Sequence, residues 1–226
     1  MTKPVVLLFE PIHDRALALL RQQAEVRMAS SLEEADLLKQ VGDVDGIIIR
    51  ANGKISRGLM QAAPRLKVVA RHGVGVEAID RKAAAEFGIA VVNTPEANVG
   101  SVAEQCLGMM IVLSKRMRAA DRAIRAGDWD ARYRLIGNEL LGKTLGLVGF
   151  GRIGRRLAEM ARRGLGMTCV YHDVVSYPAV EADLGARKAD LAAVLAQGDF
   201  VSVHTPLVPE TRGLIGSVEA ADAMVK

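Results

Sequence analysis

The stretch KTLGLVGFGRIGRRLAEMARRGLGMTCVYHD, residues 143–173, decides the fold. An apolar run, Leu145 to Val148, leads straight into Gly149-Phe150-Gly151-Arg152-Ile153-Gly154, and a helical pattern follows at once. A second apolar run ends on Asp173, about 20 residues beyond Gly154. Strand, G-x-G-x-x-G, helix and acid in that order are the fingerprint of a dinucleotide-binding βαβ unit; the glycines alone would mark only a turn. Gly149 permits the tight turn, Gly151 lets backbone N–H groups approach a pyrophosphate, and Gly154 lets the helix pack closely on the sheet. The helix N-terminus adds unpaired donors and the positive end of its dipole. Asp173 can accept from both hydroxyls of an adenine ribose, and its charge repels a 2′-phosphate. Val174 and Val175 bring no basic compensation, so the pattern favours NAD over NADP.

The rest of the chain bounds this reading. With 226 residues it suits one large domain or two small ones, and its 50% hydrophobic content supports packed cores rather than disorder. Thirty basic against 26 acidic residues leave a charge of only +4, and aromatic residues make up 4%. Arg155, Arg156, Arg162 and Arg163 surround a helix whose apolar face is Ile153, Leu157, Met160 and Ala161, which describes a solvated face. With so few aromatics to stack on bases, no nucleic-acid partner is expected. Cys106 and Cys169 sit in apolar runs and read as small buried hydrophobes, with no metal site. No signal peptide opens the chain, and its longest apolar run, Leu107 to Leu113, is too short to cross a bilayer. A cytoplasmic protein without a membrane partner is the expectation.

Strand-like and helical runs alternate from the start. VVLLF (5–9), EVRMA (25–29), GIIIR (46–50), KVVAR (67–71) and IAVVN (89–93) read as β segments. Most are continuously apolar, as parallel strands covered on both faces are. Helical patterns lie near 13–23, 32–40, 56–63 and 78–87, and a boundary falls between Pro95 and Gly100. Ser101-Val102-Ala103-Glu104 reads as a capping box opening a long helical stretch towards Gly127, with a break on the way. DWDARYRLIGNEL (128–140) reads as a surface loop. Beyond Asp173 come a helix (189–197), a strand (199–204), a polar turn and a last short helix (217–225).

Residues 1–226 resemble the NAD-dependent D-isomer-specific 2-hydroxyacid dehydrogenases throughout. The resemblance rests on RHGVGVEAID (71–80), NTPEANVGSVAE (93–104), ELLGKTLGLVGFGRIG (139–154) and VSVHTPLVPETRGLIG (201–216). Within that family, Arg50 with Lys54 and the VHTPL wording look closest to the phosphoglycerate dehydrogenases. The resemblance implies an α/β fold: a flavodoxin-like substrate domain, 1–98, then an incomplete Rossmann NAD-binding domain, 99–226, holding its first half only. It implies that the backbone at Val74, Gly75 and Val76 binds a substrate carboxylate, with Val74 also touching the nicotinamide side. Arg50 would hold a carboxylate or phosphate through its planar fork, and Asn98 would contact substrate. Arg152 and Ile153 would meet the pyrophosphate, Asp173 the ribose, and Thr205 and Pro206 the nearby cofactor face. The bland readings are a solvated strand end for Arg50, a turn residue for Asn98, and a strand-end hydrogen-bonding residue for His204. The resemblance gives no catalytic role to His72, and Glu77 stands where the family usually has Asp.

Hydride transfer also needs a group that manages the hydroxyl proton. In the family an Arg, a Glu or Asp and a His do this work, and all three would lie beyond the segment matching Gly213 to Lys226. The expectation is therefore a truncated chain with an incomplete site and no catalytic residues of its own, inactive towards 2-hydroxy and 2-keto acids. Three strands are expected in the second domain, leaving Leu145–Val148 at a sheet edge. A homodimer through 102–125 is expected, with Val102, Leu107, Met110, Ile111 and Leu113 serving core or interface. The rivals are a non-enzymatic nucleotide-binding or scaffold module and a phosphate-sensing domain built on 1–98 alone.

Overall fold

The computed structural model describes residues 2–216, so the short helix expected at 217–225 lies outside the described residues. The chain forms two compact units, residues 1–98 and 99–226. In the first, five parallel strands alternate with four helices: β1 (Val5–Leu8), α1 (Asp14–Gln23), β2 (Glu25–Met28), α2 (Glu34–Leu37), β3 (Gly46–Ile49), α3 (Arg57–Gln61), β4 (Val68–Arg71), α4 (Arg81–Glu86) and β5 (Ala90–Asn93). The strand order is β2-β1-β3-β4-β5, the flavodoxin-like winding, with its reversal between β1 and β3. Leu7, Ile47, Ile49 and Val69 are almost wholly buried and meet Leu37, Leu59 and Ala83 from the helices. Side chains that satisfy free N–H groups fix where helices begin. Ser56 accepts from the Leu59 N–H at 3.1 Å, and Asp80 from the Ala83 N–H at 2.9 Å.

The second unit begins with α5 (Val99–Ser114), α6 (Met117–Arg125) and α7 (Ala131–Arg134). It continues with β6 (Thr144–Val148), α8 (Arg152–Leu165), β7 (Thr168–His172), α9 (Pro178–Leu184), β8 (Arg187–Lys188), α10 (Leu191–Gln197) and β9 (Phe200–Val203). Leu145, Leu147, Leu157, Phe150 and Tyr171 are fully buried in its main core. Burying each such side chain is worth about 1.5–3 kcal/mol.

Three expectations are corrected here. Among the described residues the second sheet has four strands in the order β8-β7-β6-β9, so β6 is central and not an edge. Leu145–Val148 pairs with β7 on one side and with Phe200–Val203 on the other. The overlooked strand is Arg187–Lys188, two charged residues with no apolar signal, held by its register with Val170 and Tyr171. The sheet therefore crosses its switch point between β6 and β9. The capping box is absent, because α5 already begins at Val99 and places Ser101 inside the helix. The 128–140 segment is not wholly a surface loop: it contains α7 and buries Ala131 and Leu140. The break in the long helical stretch comes at Arg116, whose φ of 53° ends one helix and starts the next.

Candidate functional site

Both sheets carry their chemistry-bearing turns at the carboxyl ends of the strands, where doubly wound sheets bind ligands. In the second unit the turn after β6 sits beside the end of β9. Gly149 has φ +96°, and a Cβ there would meet the His204 carbonyl carbon at 2.7 Å. A Cβ on Gly154 would collide with the Gly149 carbonyl oxygen. Internal packing demands glycine at both positions. Gly151 differs: among the described residues a Cβ there would meet no protein atom within 4 Å, and its φ of −68° suits any residue. Among the described residues nothing crowds position 151, so its backbone is open to a group approaching from outside. Gly151 is the N-cap of α8 and makes no side-chain cap hydrogen bond, so the helix presents the positive end of its dipole there. These features fit a pyrophosphate.

The turn is anchored from below. Phe150 is fully buried, stacked on Tyr171 at 3.9 Å and edge-on to Tyr177 at 5.9 Å. The Tyr171 hydroxyl donates to Glu181 at 2.5 Å, and burial together with that carboxylate pushes its pKa up to about 12. Asp173, at the end of β7, accepts from the Phe150 N–H at 2.6 Å and from the Val175 N–H at 2.9 Å. Its carboxylate thus ties the glycine turn to the strand end where a ribose would lie. Across the switch point the His204 N–H donates to the Val148 carbonyl at 2.7 Å, and its Nε2 lies 2.9 Å from Ser202 Oγ. Burial holds the His204 imidazole below the usual histidine range. Thr205 and Pro206 follow directly, with the Thr205 nitrogen 3.0 Å from where a Gly149 Cβ would be.

In the first unit Arg50 follows β3 and the 73–76 loop follows β4, its neighbour in the sheet. Arg50 is exposed. The segment behind it is clamped by Glu10 at the end of β1, which accepts from the Ala51 N–H at 2.5 Å and the Asn52 N–H at 2.7 Å. Those bonds, with Arg50 nearby, hold the Glu10 carboxyl below its ordinary value. Arg71 Nε donates to the Gly75 carbonyl at 2.8 Å, and Asn93 Nδ2 to the Val74 carbonyl at 2.7 Å. Val74, Gly75 and Val76 are half-buried, while Asn98 is exposed in the turn that ends the unit.

The folded chain thus gathers Gly149, Gly151, Arg152, Ile153, Gly154, Asp173, Thr205 and Pro206 around one switch point. It sets Arg50 beside Val74, Gly75 and Val76 at the edge of the other sheet. Phe150, Tyr171, Ser202, Glu10, Arg71, Asn93 and Thr94 escaped the sequence reading. Only the buried aromatic inside the glycine motif left a trace that periodicity could have found. Cys169 is a buried hydrophobe whose thiol burial pushes up to about 12. Among the described residues no cluster of His, Cys, Asp and Glu could hold a metal, and no helix is long and apolar enough to cross a membrane.

Comparison with known proteins adds an independent line. Residues 107–224 match the model of the D-isomer specific 2-hydroxyacid dehydrogenase NAD binding domain. The chain is 37% identical over 217 residues to D-3-phosphoglycerate dehydrogenase of Methanocaldococcus jannaschii, covering 96% of this chain and 41% of that protein. It is 38% identical over 207 residues to hydroxypyruvate reductase of Thermotoga maritima, covering 91% of this chain and 66% of that protein. The crystal structure of TT0316 protein from Thermus thermophilus superposes with a TM-score of 0.87 at 36% identity, covering 97% of this chain and 70% of that one. The chain therefore spans about two fifths of the length of the phosphoglycerate dehydrogenases it matches.

Proposed function

Because this chain belongs to the D-isomer-specific 2-hydroxyacid dehydrogenase family, we propose that it serves hydride transfer between NAD(H) and a 2-hydroxy or 2-keto acid. NAD is the family's cofactor, and when bound it supplies the hydride acceptor or donor. The chain's own residues do the holding. Backbone N–H groups at Gly151, Arg152 and Ile153 take the pyrophosphate, Gly149 and Gly154 shape the turn, and Asp173 takes the adenine ribose. Thr205 and Pro206 wall the cofactor face across the switch point. In the first unit Gly75 and Val76 take the substrate carboxylate, with Val74 reaching towards the nicotinamide. Arg50 contributes a fork suited to a second carboxylate or a phosphate, which favours a 3-phosphoglycerate-like substrate. Asn98 is a substrate contact in the same reading.

The observation that carries the cofactor site is Gly151, which among the described residues has open space where a Cβ would stand, at the N-terminus of a 14-residue helix. Titrating the full chain with ADP-ribose by calorimetry tests it: wild-type protein binds, and Gly151→Val does not while remaining folded. An equal heat from both proteins sinks the assignment.

The 226 residues by themselves are proposed to lack turnover. Of their four histidines, His204 is bonded to Ser202 behind the glycine turn, and His13 accepts the Arg15 N–H at 3.2 Å as the N-cap of α1. NADH oxidation with hydroxypyruvate or 3-phosphohydroxypyruvate above the buffer rate would overturn this. Bound nucleotide without turnover is the outcome expected here and also of the rival reading, a nucleotide-binding or scaffold module of the same fold, which measurable turnover would exclude.

The proposed assembly is a homodimer through 102–125. The packing divides the apolar residues of α5 into two faces. Leu107, Met110 and Ile111 enter the core, whereas Met109 and Leu113 are 54% and 68% exposed. With Val112 and Arg118 they line an open groove. The setting proposed is the cytoplasm.

A further inference from the structure

The 73–76 loop has an unusual hydrogen-bond pattern. Its consecutive carbonyls are all taken by donors from the ends of β4 and β5. The Gly73 carbonyl accepts from the Thr94 N–H at 3.0 Å, the Val74 carbonyl from Asn93 Nδ2 at 2.7 Å, and the Gly75 carbonyl from Arg71 Nε at 2.8 Å. Thr94 also fixes the loop's start, its Oγ1 accepting from the Gly73 N–H at 3.0 Å. In a planar trans peptide the C=O and the next N–H point in opposite directions. Fixing the carbonyls of 73, 74 and 75 towards the strand ends therefore turns the N–H groups of Val74, Gly75 and Val76 the other way. Among the described residues none of these three N–H groups has a protein acceptor. Successive outward N–H groups of this kind make an anion-binding concavity.

A second observation points the same way. Among the described residues Arg71 Nη1 is buried with no hydrogen-bond partner, and the guanidinium lies 3.4 Å from where a Gly73 Cβ would sit. An orphaned charged donor is costly unless its charge is used. Here a fixed positive charge lies directly behind the outward N–H groups, at the edge of a sheet whose strands carry little dipole of their own.

We infer that Arg71, Asn93 and Thr94 are positioning residues that orient the Val74, Gly75 and Val76 N–H groups into a carboxylate cradle. The inference rests on the proposed substrate site and names what builds it. None of the three need touch the substrate.

The test is NMR on the full chain labelled with nitrogen-15, titrated with glycolate, the smallest 2-hydroxy acid, and separately with inorganic phosphate. In the wild type, glycolate moves the Val74, Gly75 and Val76 amides downfield together. Asn93→Leu, which keeps size and removes the donor, raises the half-saturating concentration about tenfold, the share of one hydrogen bond. Arg71→Met does at least as much, and Thr94→Ser, which keeps the hydroxyl, restores wild-type binding where Thr94→Val loses it. Unmoved β1–β3 amides serve as the folding control. Should Asn93→Leu fail that control, Asn93→Asp decides, since it keeps the shape and replaces the donor with an acceptor. Wild-type affinity and the same three shifts in the folded Asn93 and Arg71 variants would overturn the inference while leaving the substrate site intact. No movement of the three amides in the wild type would overturn the site itself. Phosphate binding there more tightly than glycolate would overturn the carboxylate assignment.

Discussion

The two sheets of this chain solve one problem in two ways. In the proposed function each offers backbone N–H groups to an anion at the carboxyl end of a parallel strand. The second unit does so with a helix: after β6 the chain turns at Gly149, and α8 begins at Gly151, a residue with no side chain to cap it, where the positive end of the helix dipole lies. The first unit has no helix at the corresponding loop. It turns its N–H groups outward by fastening the carbonyls behind them to Arg71, Asn93 and Thr94. A helix orients its terminal donors without outside help, so the motif is local and compact in sequence. A clamped loop borrows its orientation from a neighbouring strand, so its determinants are scattered.

The sharpest way to break this contrast is within the glycine turn. Gly154→Ala pushes a Cβ against a backbone carbonyl that cannot yield, and should cost about 3 kcal/mol in denaturant unfolding of the second unit. Gly151→Ala, in open space, should stay within about 0.5 kcal/mol of wild type in the same measurement. The same substitution should weaken ADP-ribose binding at least about tenfold by calorimetry. If the two glycines lose stability equally, the division between internal and external demand fails.

Next in size is Asp173→Ala. It removes the proposed charged acceptor for the ribose and frees the Phe150 N–H, for an expected loss of about 1.5–3 kcal/mol in ADP-ribose affinity. An unchanged affinity would mean that the carboxylate serves only the turn. Smaller again, Leu113→Glu on the outward face of α5 should convert the proposed dimer to a monomer in sedimentation, leaving the unfolding midpoint of the monomer almost unchanged. Met110→Glu, on the inward face, should unfold the second unit instead.

The smallest effect expected concerns pH. Burial depresses His204 in the folded state below its ordinary value of 6.5. The unfolded chain then binds the proton more readily, so His204 costs no stability above pH 6.5 and lowers stability progressively as the pH falls through the window beneath it. His204→Gln should flatten that part of the stability profile, measured by urea unfolding between about pH 7 and 5. A profile identical to wild type would remove His204 from the account.

Much of the fold was legible because its signals are short-range. Continuous apolar runs such as VVLL and GIII announced buried parallel strands, and the spacing of Gly149, Gly151 and Gly154 after such a run announced the turn. Arg187–Lys188 was not legible, since two charged residues become a strand only through pairing with Val170 and Tyr171. The apparent capping box at Ser101 misled for the reverse reason: the local pattern was present, but the helix had already begun at Val99. Of the candidate site, the glycine turn and Asp173 could be read directly, whereas Glu10 reaches Ala51 and Asn52 across 41 and 42 residues that no local pattern spans.

What the sequence determined by itself is the alternation of strand and helix, the dinucleotide turn and the acid that follows it. All three arise from backbone sterics and hydrophobic periodicity within a few residues. What only the tertiary structure decided is which strand stands in the middle of the second sheet, which face of α5 enters the core, and which side chains hold the 73–76 loop. Those outcomes depend on hydrogen bonds and burial between segments far apart in the chain, where the free energy is set by the partner a residue finds rather than by the neighbours it was given.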